Sequence, residues 1–278
     1  MKKYELTSET LDHTGKTLYR IRALRDIPKH GVVAGDLGGW VESERNLAQS
    51  DNAWVSDNAR VSGNAWVYGN AHVSGDAIVS GRARVYNDAR VYGDACVTGN
   101  AHVYGDARVS GDARVYGDAT VTRDARVSGD ARVYDNARVY DNARVSGNAW
   151  VSCDALVSGR ARVYGNAWVH GDARATGDAH VYGDSIVSGH ACVSGDARLP
   201  SRDSIFTASY VGTENGILTV TSGVSGLVVT RGCFTGSADE FLERSRTVHD
   251  DKTHNEYRML IEVAQSRIKN HAVPDTED

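Results

Sequence analysis

A six-residue repeat occupies half of the sequence and narrowly limits how the chain can fold. From Ala53 to Leu199 the pattern V-[SY]-G-[DN]-A-[RHW] recurs without insertion or deletion. Valine holds its slot from Val55 to Val193, except at Ala175, and Leu199 takes the next one. Alanine holds the fifth slot from Ala53 to Ala197, except at Ser185. Such regularity predicts a solenoid, in which each repeat packs only on its neighbours.

The order of residue types within one repeat predicts the local structure. In D-A-R-V-Y, alternation puts Ala and Val on one face of a short strand, and Asp, Arg and Tyr on the other. The Gly-[DN] pair that follows tolerates positive φ, so the chain can turn a corner in every repeat. Three corners close a coil of three repeats around a Val/Ala interior that leaves no cavity.

The spacing of small and aliphatic residues also carries a resemblance. Val61 with Ala65, and Val67 with Ala71, show an aliphatic residue followed four positions later by a small one. This resembles the hexapeptide-repeat superfamily, whose fold is a left-handed parallel β-helix. The left hand is implied by the resemblance alone, because ordinary parallel crossovers are right-handed. About eight coils, stacked about 4.8 Å apart, would form a rod about 40 Å long.

The two ends of a solenoid expose strand edges that need caps, and the flanking segments are predicted to supply them. We expect a small β cap over residues 1–50, the β-helix over 51–200, an α+β module over 201–270 and a flexible tail over 271–278. Val41 and Leu47 fall in the alanine slot when the repeat is extended backwards. The strand-like runs of the N-terminal cap are residues 18–24, 31–35 and 38–41.

The C-terminal segment is predicted to form a sheet followed by two helices. Ser237 and Glu240 form a capping box that opens a helix to about Val248. A second helix is predicted from about Asn255 to Ile268. Three apolar runs separated by glycine-containing turns predict an antiparallel meander, and they are residues 205–211, 217–221 and 227–230.

Two further motifs resemble segments of bacteriophage and prophage proteins. One is Thr230–Gly236 with Glu240–Phe241, His249 and Tyr257 downstream, which is similar to a C-terminal phage module. The other is Ala34–Glu42, which resembles the entry to repeat proteins labelled polymer-forming or transferase. The resemblance implies a phage or prophage origin and the cytoplasm of a bacterial host. Such labels follow the fold, so they say little about activity.

Composition excludes several classes of partner. A net charge of −5 and a pI near 6.1 argue against a general nucleic-acid binder. The four cysteines are too widely spaced for a CxxC metal site or a secreted disulfide framework, so we expect a reducing compartment. No run of about 18 apolar residues occurs, so no membrane span is predicted. Neither a metal nor a cofactor is expected.

Residues three repeats apart should stack, so the outward slot after each alanine sorts into three ladders. The first is Trp54, His72, Arg90, Arg108, Arg126, Arg144, Arg162, His180 and Arg198. The second is Arg60, Ile78, Cys96, Arg114, Arg132, Trp150, Trp168 and Ile186. The third is Trp66, Arg84, His102, Thr120, Arg138, Leu156, Arg174 and Cys192.

The first ladder stacks five consecutive arginines, which repel one another unless counter-charges or an anion intervene. A solvated, self-neutralised face is one interpretation, since residues 51–198 hold 17 Asp against 15 Arg. The alternative is a site for a small anionic, nucleotide-like ligand. It is predicted where Asn142 and Arg160 replace the in-strand aspartates. Its residues would be Arg126, Arg144, Arg160, Arg162, Tyr164, His180 and Tyr182.

The second ladder ends in an outward apolar strip of Trp150, Trp168 and Ile186, with Leu156 one face over. Such a strip marks a contact surface. It could be covered by the C-terminal module or by further copies of the chain. We expect a homo-oligomer, and the resemblance implies a trimer.

Enzymatic function is the alternative class. Enzymes of the superfamily that the repeat resembles transfer acyl groups from acyl-CoA, with histidine as a general base between subunits. The coil histidines are His72, His102, His170, His180 and His190, and no insertion beside any of them could form a pocket wall. Cys233, His249 and His254 are too loosely spaced to indicate a metal or nucleophile site. No catalytic residue is predicted, and a non-enzymatic binding or scaffold protein is favoured.

Overall fold

A computed structural model describes residues 2–268, which divide into two compact units between Asn142 and Ala143. Both units contain a parallel β-solenoid with three strands in each coil. The first also has a strand cap, and the second carries a small sheet and two helices. The predicted β-solenoid with an N-terminal β cap and a C-terminal α+β cap is therefore confirmed. The predicted tail, residues 271–278, lies outside the described residues.

The first unit begins with three cap strands, β1 (Tyr4–His13), β2 (Lys16–Ala23) and β3 (Leu37–Val41). β1 pairs antiparallel with β2, and β2 with β3. The strands β4–β18 follow in chain order as Trp54–Val55, Arg60–Val61, Trp66–Val67, His72–Val73, Ile78–Val79, Arg84–Val85, Arg90–Val91, Cys96–Val97, His102–Val103, Arg108–Val109, Arg114–Val115, Thr120–Val121, Arg126–Val127, Arg132–Val133 and Arg138–Val139.

Every third solenoid strand pairs in parallel, with equivalent slots of successive coils in register. Arg90, for example, faces Arg108, and Val91 faces Val109. The valines and alanines of the repeat are fully buried, and the outward ladder residues lie beside each other as expected. The corner slot has positive φ in every coil, and a Cβ at Gly63 would lie 2.9 Å from the carbonyl oxygen of Gly81. Glycine therefore suits this slot because neighbouring coils meet there.

The cap joins the solenoid in a register that the repeat alone did not predict. Val41 pairs with Val61, and Leu47 pairs with Val67. The sequence separation of each pair is therefore two residues longer than one full coil. The prediction that Val41 and Leu47 occupy alanine slots is wrong, because two extra residues precede Ala53. In the same segment, the carboxylate of Asp51 binds the buried Lys3 ammonium at 3.1 Å and also accepts from the backbone N–H of Gly69.

Two other features of the cap differ from the prediction. The strand β1 is the longest of the described strands and was not predicted from its polar sequence, TSETLDH. Residues 31–35 are not a strand. They follow a 3₁₀ turn at Pro28–His30, and only Val32 pairs, in a single bridge to Ile27. Gly38 allows β3 to lie close, since a Cβ there would fall 2.7 Å from the buried ring of Trp54.

The second unit continues the same repeat and ends in the α+β module. Its solenoid strands β19–β28 are, in chain order, Arg144–Val145, Trp150–Val151, Leu156–Val157, Arg162–Val163, Trp168–Val169, Arg174–Ala175, His180–Val181, Ile186–Val187, Cys192–Val193 and Arg198–Leu199. The module contains β29 (Ile205–Val211), β30 (Gly216–Gly223), β31 (Gly226–Arg231), β32 (Phe234–Ser237), α1 (Ala238–Val248) and α2 (Asp251–Arg267).

The module largely follows its prediction. The meander is antiparallel, with β32 as a fourth strand that was not predicted, and Ser237 and Glu240 form the expected capping box. The helix α2 begins four residues before the predicted Asn255, because Asp250 caps it by accepting from the backbone N–H of Thr253. One side of the sheet packs on the helices around Phe241, Tyr257 and Ile261.

Hydrogen bonds attach the module to the last coil of the solenoid. The backbone N–H of Cys192 donates to Thr219, and the hydroxyl of Ser194 lies 2.8 Å from that of Thr235. Gly223 forms a bridge with Ala197. The meander therefore packs against the final strand edges of the solenoid, where polar backbone groups need partners.

Candidate functional site

The second unit brings three of the seven predicted anion-site residues together on the first ladder. Arg144 faces Arg162, Arg162 faces His180, and His180 faces Arg198 on successive parallel strands. The backbone N–H of Arg162 donates to the carbonyl of Ala179 at 2.8 Å, which fixes this register. Three cationic side chains and a histidine therefore occupy equivalent positions, one strand apart.

Two tyrosines lie beside this ladder because the slot after each valine also faces outward. Tyr164 stacks on Tyr182, with ring centroids 5.0 Å apart and planes 5° from parallel. His180 meets Tyr164 edge to face at 6.1 Å. Arg162, Tyr164, His180 and Tyr182 therefore form a two-by-two group, which we call the aromatic–cationic group. Each of the four is partly exposed.

The remaining predicted members are Arg160, which lies outside the first ladder, and Arg126, which lies on it. The Nε of Arg160 lies 3.0 Å from the carboxylate of Asp178, on the outward corner slot before the ladder. The prediction that Arg160 lacks neutralisation is therefore wrong, because an aspartate one coil later supplies the charge that its own strand does not. Arg126 belongs to the first unit, where it faces Arg108.

The apolar strip predicted on the second ladder forms as expected. Trp150 faces Trp168, and Trp168 faces Ile186. The two indoles meet edge to face at 5.8 Å, and Trp168 packs on His170 at 4.4 Å. The indole N–H of Trp168 donates to the buried hydroxyl of Ser152 at 3.4 Å. Trp150 remains 36% exposed.

Leu156 lies on the third ladder, where it faces Arg174. The strip therefore consists of Trp150, Trp168 and Ile186, with Leu156 on a separate sheet. The contacts that attach the C-terminal module involve the last coil at residues 192–199.

The coil histidines that could serve an acyltransferase each contact a neighbouring side chain. His72 lies 3.0 Å from the Ser56 hydroxyl, His102 packs on Tyr86, His170 on Trp168, His180 on Tyr164, and His190 lies 3.3 Å from Asp172. Burial lowers the pKa of both His72 and His102. None of these contacts distinguishes one histidine as a general base.

A pocket in the C-terminal module was not predicted from the sequence. Its volume is about 180 Å³, and it lies between the β31–β32 turn and the two helices. Cys233, His249 and Tyr257 line it together with Arg231 and Arg244. Cys233 and His249 belong to the loosely spaced set seen in the sequence, but no sequence signal indicated that the two arginines would join them. Cys233 is an exposed free thiol.

Comparison with known proteins supports the repeat. A family model described as YdcK Beta solenoid repeat matches residues 53–69, 89–105, 107–129, 125–138, 137–152 and 155–171. These segments make up about a third of the chain and lie within the hexad repeat. The chain is a β-solenoid repeat protein. No curated protein matches it.

Two kinds of feature are absent from residues 2–268 of this β-solenoid protein. That part of the chain contains no helix both long and apolar enough to cross a bilayer. It also contains no group of three or more His, Cys, Asp or Glu side chains placed to hold a metal ion.

Proposed function

We propose that this β-solenoid protein is a non-enzymatic binding protein whose first ladder holds a small anionic, nucleotide-like ligand in the second unit. The observation that carries the proposal is the register of Arg144, Arg162 and His180 on successive strands, beside the stacked Tyr164 and Tyr182. The surface then offers cationic groups for the phosphate of a nucleotide and planar rings for its base.

The charge arrangement favours a phosphate at Arg144 and Arg162. Guanidinium groups one strand apart repel each other, and an anion bound between them turns that repulsion into attraction. The planar fork of arginine also matches the oxygens of a phosphate. His180 continues the column one strand beyond Arg162.

The tyrosine pair favours a planar base next to that phosphate. The slot one coil before Tyr164 holds Ser146, whose backbone N–H donates to the carbonyl of Val163 at 2.9 Å. Because this slot holds a small residue instead of a third tyrosine, a base has room to lie over the ring of Tyr164. Stacking of a base on an aromatic side chain contributes about 1–3 kcal/mol.

Equilibrium binding of AMP, inorganic phosphate and adenosine to the whole protein tests the proposal. AMP should bind most tightly and more weakly at high salt, because screening reduces the attraction of the phosphate. Replacing both Arg144 and Arg162 by glutamine should weaken AMP binding at least about tenfold. Unchanged binding of all three probes in that variant would refute the proposal.

The first unit offers a matched control for this experiment. Arg90 and Arg108 form an equivalent pair on the same ladder, but Tyr92 is followed one coil later by Ser110, so no tyrosine pair flanks them. Replacing Arg90 and Arg108 by glutamine removes the same charge and should leave AMP binding unchanged.

The apolar strip supports a second proposal, that the protein is a homo-oligomer, with a trimer as the expected state. Trp150 and Trp168 present touching indoles, and tryptophan is enriched where protein surfaces bind each other. Light scattering after gel filtration should give a multiple of the 29.9 kDa chain mass, and Trp150→Asp with Trp168→Asp should reduce it to one chain. Trp66→Asp, at an exposed tryptophan of the first unit, is the control. An unchanged mass in the double variant would exclude this interface.

A phage or prophage origin and a bacterial cytoplasmic location complete the proposal, and the free cysteines support a reducing compartment. Mass spectrometry of small molecules released from the purified protein separates the alternatives. A nucleotide supports the binding proposal, coenzyme A would indicate the alternative acyltransferase, and neither would indicate a purely structural scaffold.

A further inference from the structure

The pocket of the C-terminal module contains an arginine whose charge is poorly compensated. The side chain of Arg231 is only 11% exposed, and its Nε is buried with no hydrogen-bond partner among the described residues. One Nη donates to the carbonyl of Val211 at 3.1 Å, and the other lies 3.9 Å from the exposed carboxylate of Glu214. A buried cation without a close anion is costly, so this position favours binding of a negative group.

Two glycines leave space for side chains that line the pocket. A Cβ at Gly216 would lie 2.4–2.7 Å from the guanidinium atoms of Arg231, so a larger residue there would displace the guanidinium from its present position. A Cβ at Gly212 would lie 2.0 Å from the hydroxyl oxygen of Tyr257. The backbone N–H of Gly212 also donates to Glu256 at 3.0 Å, which ties this turn to α2. Arg231 and Tyr257 therefore each pack against a glycine, and both line the pocket.

Aromatic rings form the rest of the pocket. Phe234 and Phe241 lie 5.4 Å apart, and Phe241 meets Tyr257 edge to face at 5.0 Å. Arg244 lies over the ring of Phe234 at 5.8 Å and adds a second positive charge at the rim. The lining thus combines apolar rings with two guanidinium groups, as expected of a small-molecule site with few polar anchors.

We propose that this pocket binds a small aromatic carboxylate, with Arg231 holding the carboxylate and the rings of Phe234, Phe241 and Tyr257 enclosing the aromatic body. Size supports this class. The pocket holds about 180 Å³, whereas an apolar cavity of about 150 Å³ accommodates benzene, so a benzene ring with one carboxylate fits. The fork of Arg231 suits two carboxylate oxygens.

Protection of Cys233 from alkylation tests this inference in the whole protein. Cys233 lines the pocket and is exposed, while Cys153 is exposed on a solenoid corner and serves as an internal control. Benzoate should slow modification of Cys233 by iodoacetamide, saturably, with a Kd in about the millimolar range. Benzamide, which has the same shape without the charge, should bind about tenfold more weakly or worse. Cys153 should react equally in all samples.

Two substitutions separate the role of Arg231 from general electrostatics. Arg231→Gln should abolish protection by benzoate, whereas Arg246→Gln, on the exposed side of α1, should leave it intact. If Arg231→Gln fails to fold, Glu214→Gln decides the matter, because removing the competing carboxylate should tighten benzoate binding. Equal protection by benzoate and benzamide, no saturable protection, or unchanged or weaker binding in Glu214→Gln would each overturn the proposal.

Discussion

Acidification should loosen the N-terminal cap through His30. The ring of His30 stacks on His72 at 4.7 Å, and its Nε2 is buried with no hydrogen-bond partner among residues 2–268. Burial is the main cause that lowers the pKa of His30 to about 4, followed by the nearby charges of His72, Lys29 and Arg90. A hydrogen bond with the backbone of Asn52 opposes these effects but is weaker.

The direction of the pH effect follows from this lowered pKa. The unfolded chain binds a proton at His30 near pH 6.5, whereas the folded chain resists protonation until about pH 4. The free energy of unfolding is therefore not reduced by His30 above pH 6.5, and it falls as the pH drops from 6.5 towards 4. A tenfold change in proton affinity corresponds to about 1.4 kcal/mol of stability. Because the ring is only partly buried, we halve the loss of stability that the full pKa shift would give. The expected loss between pH 7 and pH 5 is then about 1 kcal/mol.

Hydrogen exchange can measure this loss at the cap itself. The backbone N–H of Ile27 donates to the carbonyl of Val32, and that of Val32 donates back, so both amides report opening of the loop that carries His30. After correction for the intrinsic pH dependence of exchange, their protection should fall about fivefold between pH 7 and pH 5. His30→Phe keeps a ring on His72 but does not titrate, so most of this fall should disappear.

A second histidine gives the control for this experiment. His190→Phe, at an exposed position in the second unit, should behave like the parent protein. The reasoning is refuted if protection in the parent does not depend on pH, or if His30→Phe retains the full loss.

Three further changes test the packing of the fold by chemical or thermal unfolding. Ala175→Val restores the repeat at a fully buried slot and should stabilise the protein by up to about 1.5 kcal/mol. Tyr4→Phe removes hydrogen bonds of 2.9 and 2.8 Å to the carbonyls of Glu44 and Leu47, which should cost about 1–2 kcal/mol. Ser237→Ala removes the cap of α1 and should cost about 1 kcal/mol, measurable as a lower Tm of the C-terminal module.

The solenoid could be predicted in detail because each of its slots has one physical requirement. Inward valine and alanine, outward polar residues and corner glycine follow from alternation and positive φ, and the stacking register follows from three corners in each coil. The cap could not be predicted in the same way. The register of Val41 and Leu47 differs from that of the repeat because two extra residues lie between Leu47 and Ala53, close to Asp51, which pairs with the buried Lys3. No periodic signal encodes that contact.

The candidate sites differ in the same respect. Stacking of Tyr164 on Tyr182 and of Arg144 beside Arg162 was predictable, because the members of both pairs stand one coil apart. The partner of Arg160 was missed because it lies in the following coil, where Asp178 occupies the equivalent slot. In the C-terminal module, residues far apart in sequence meet through tertiary packing, so the pocket around Arg231 was visible only in three dimensions.

The repeat itself explains why function should be sought on the outward slots and in the module. In the solenoid an inward change disturbs two neighbouring coils, because Val and Ala pack against the same slot above and below. A substitution at an outward slot alters only the surface, to which every coil contributes its own residue. The tyrosine column of Tyr68, Tyr86 and Tyr104 in the first unit, with rings 4.7–4.8 Å apart, shows how a repeated slot becomes a continuous surface. A ladder can thus acquire binding groups one coil at a time while the interior stays constant. The outward residues that depart from the repeat are therefore the ones that packing of the interior does not explain.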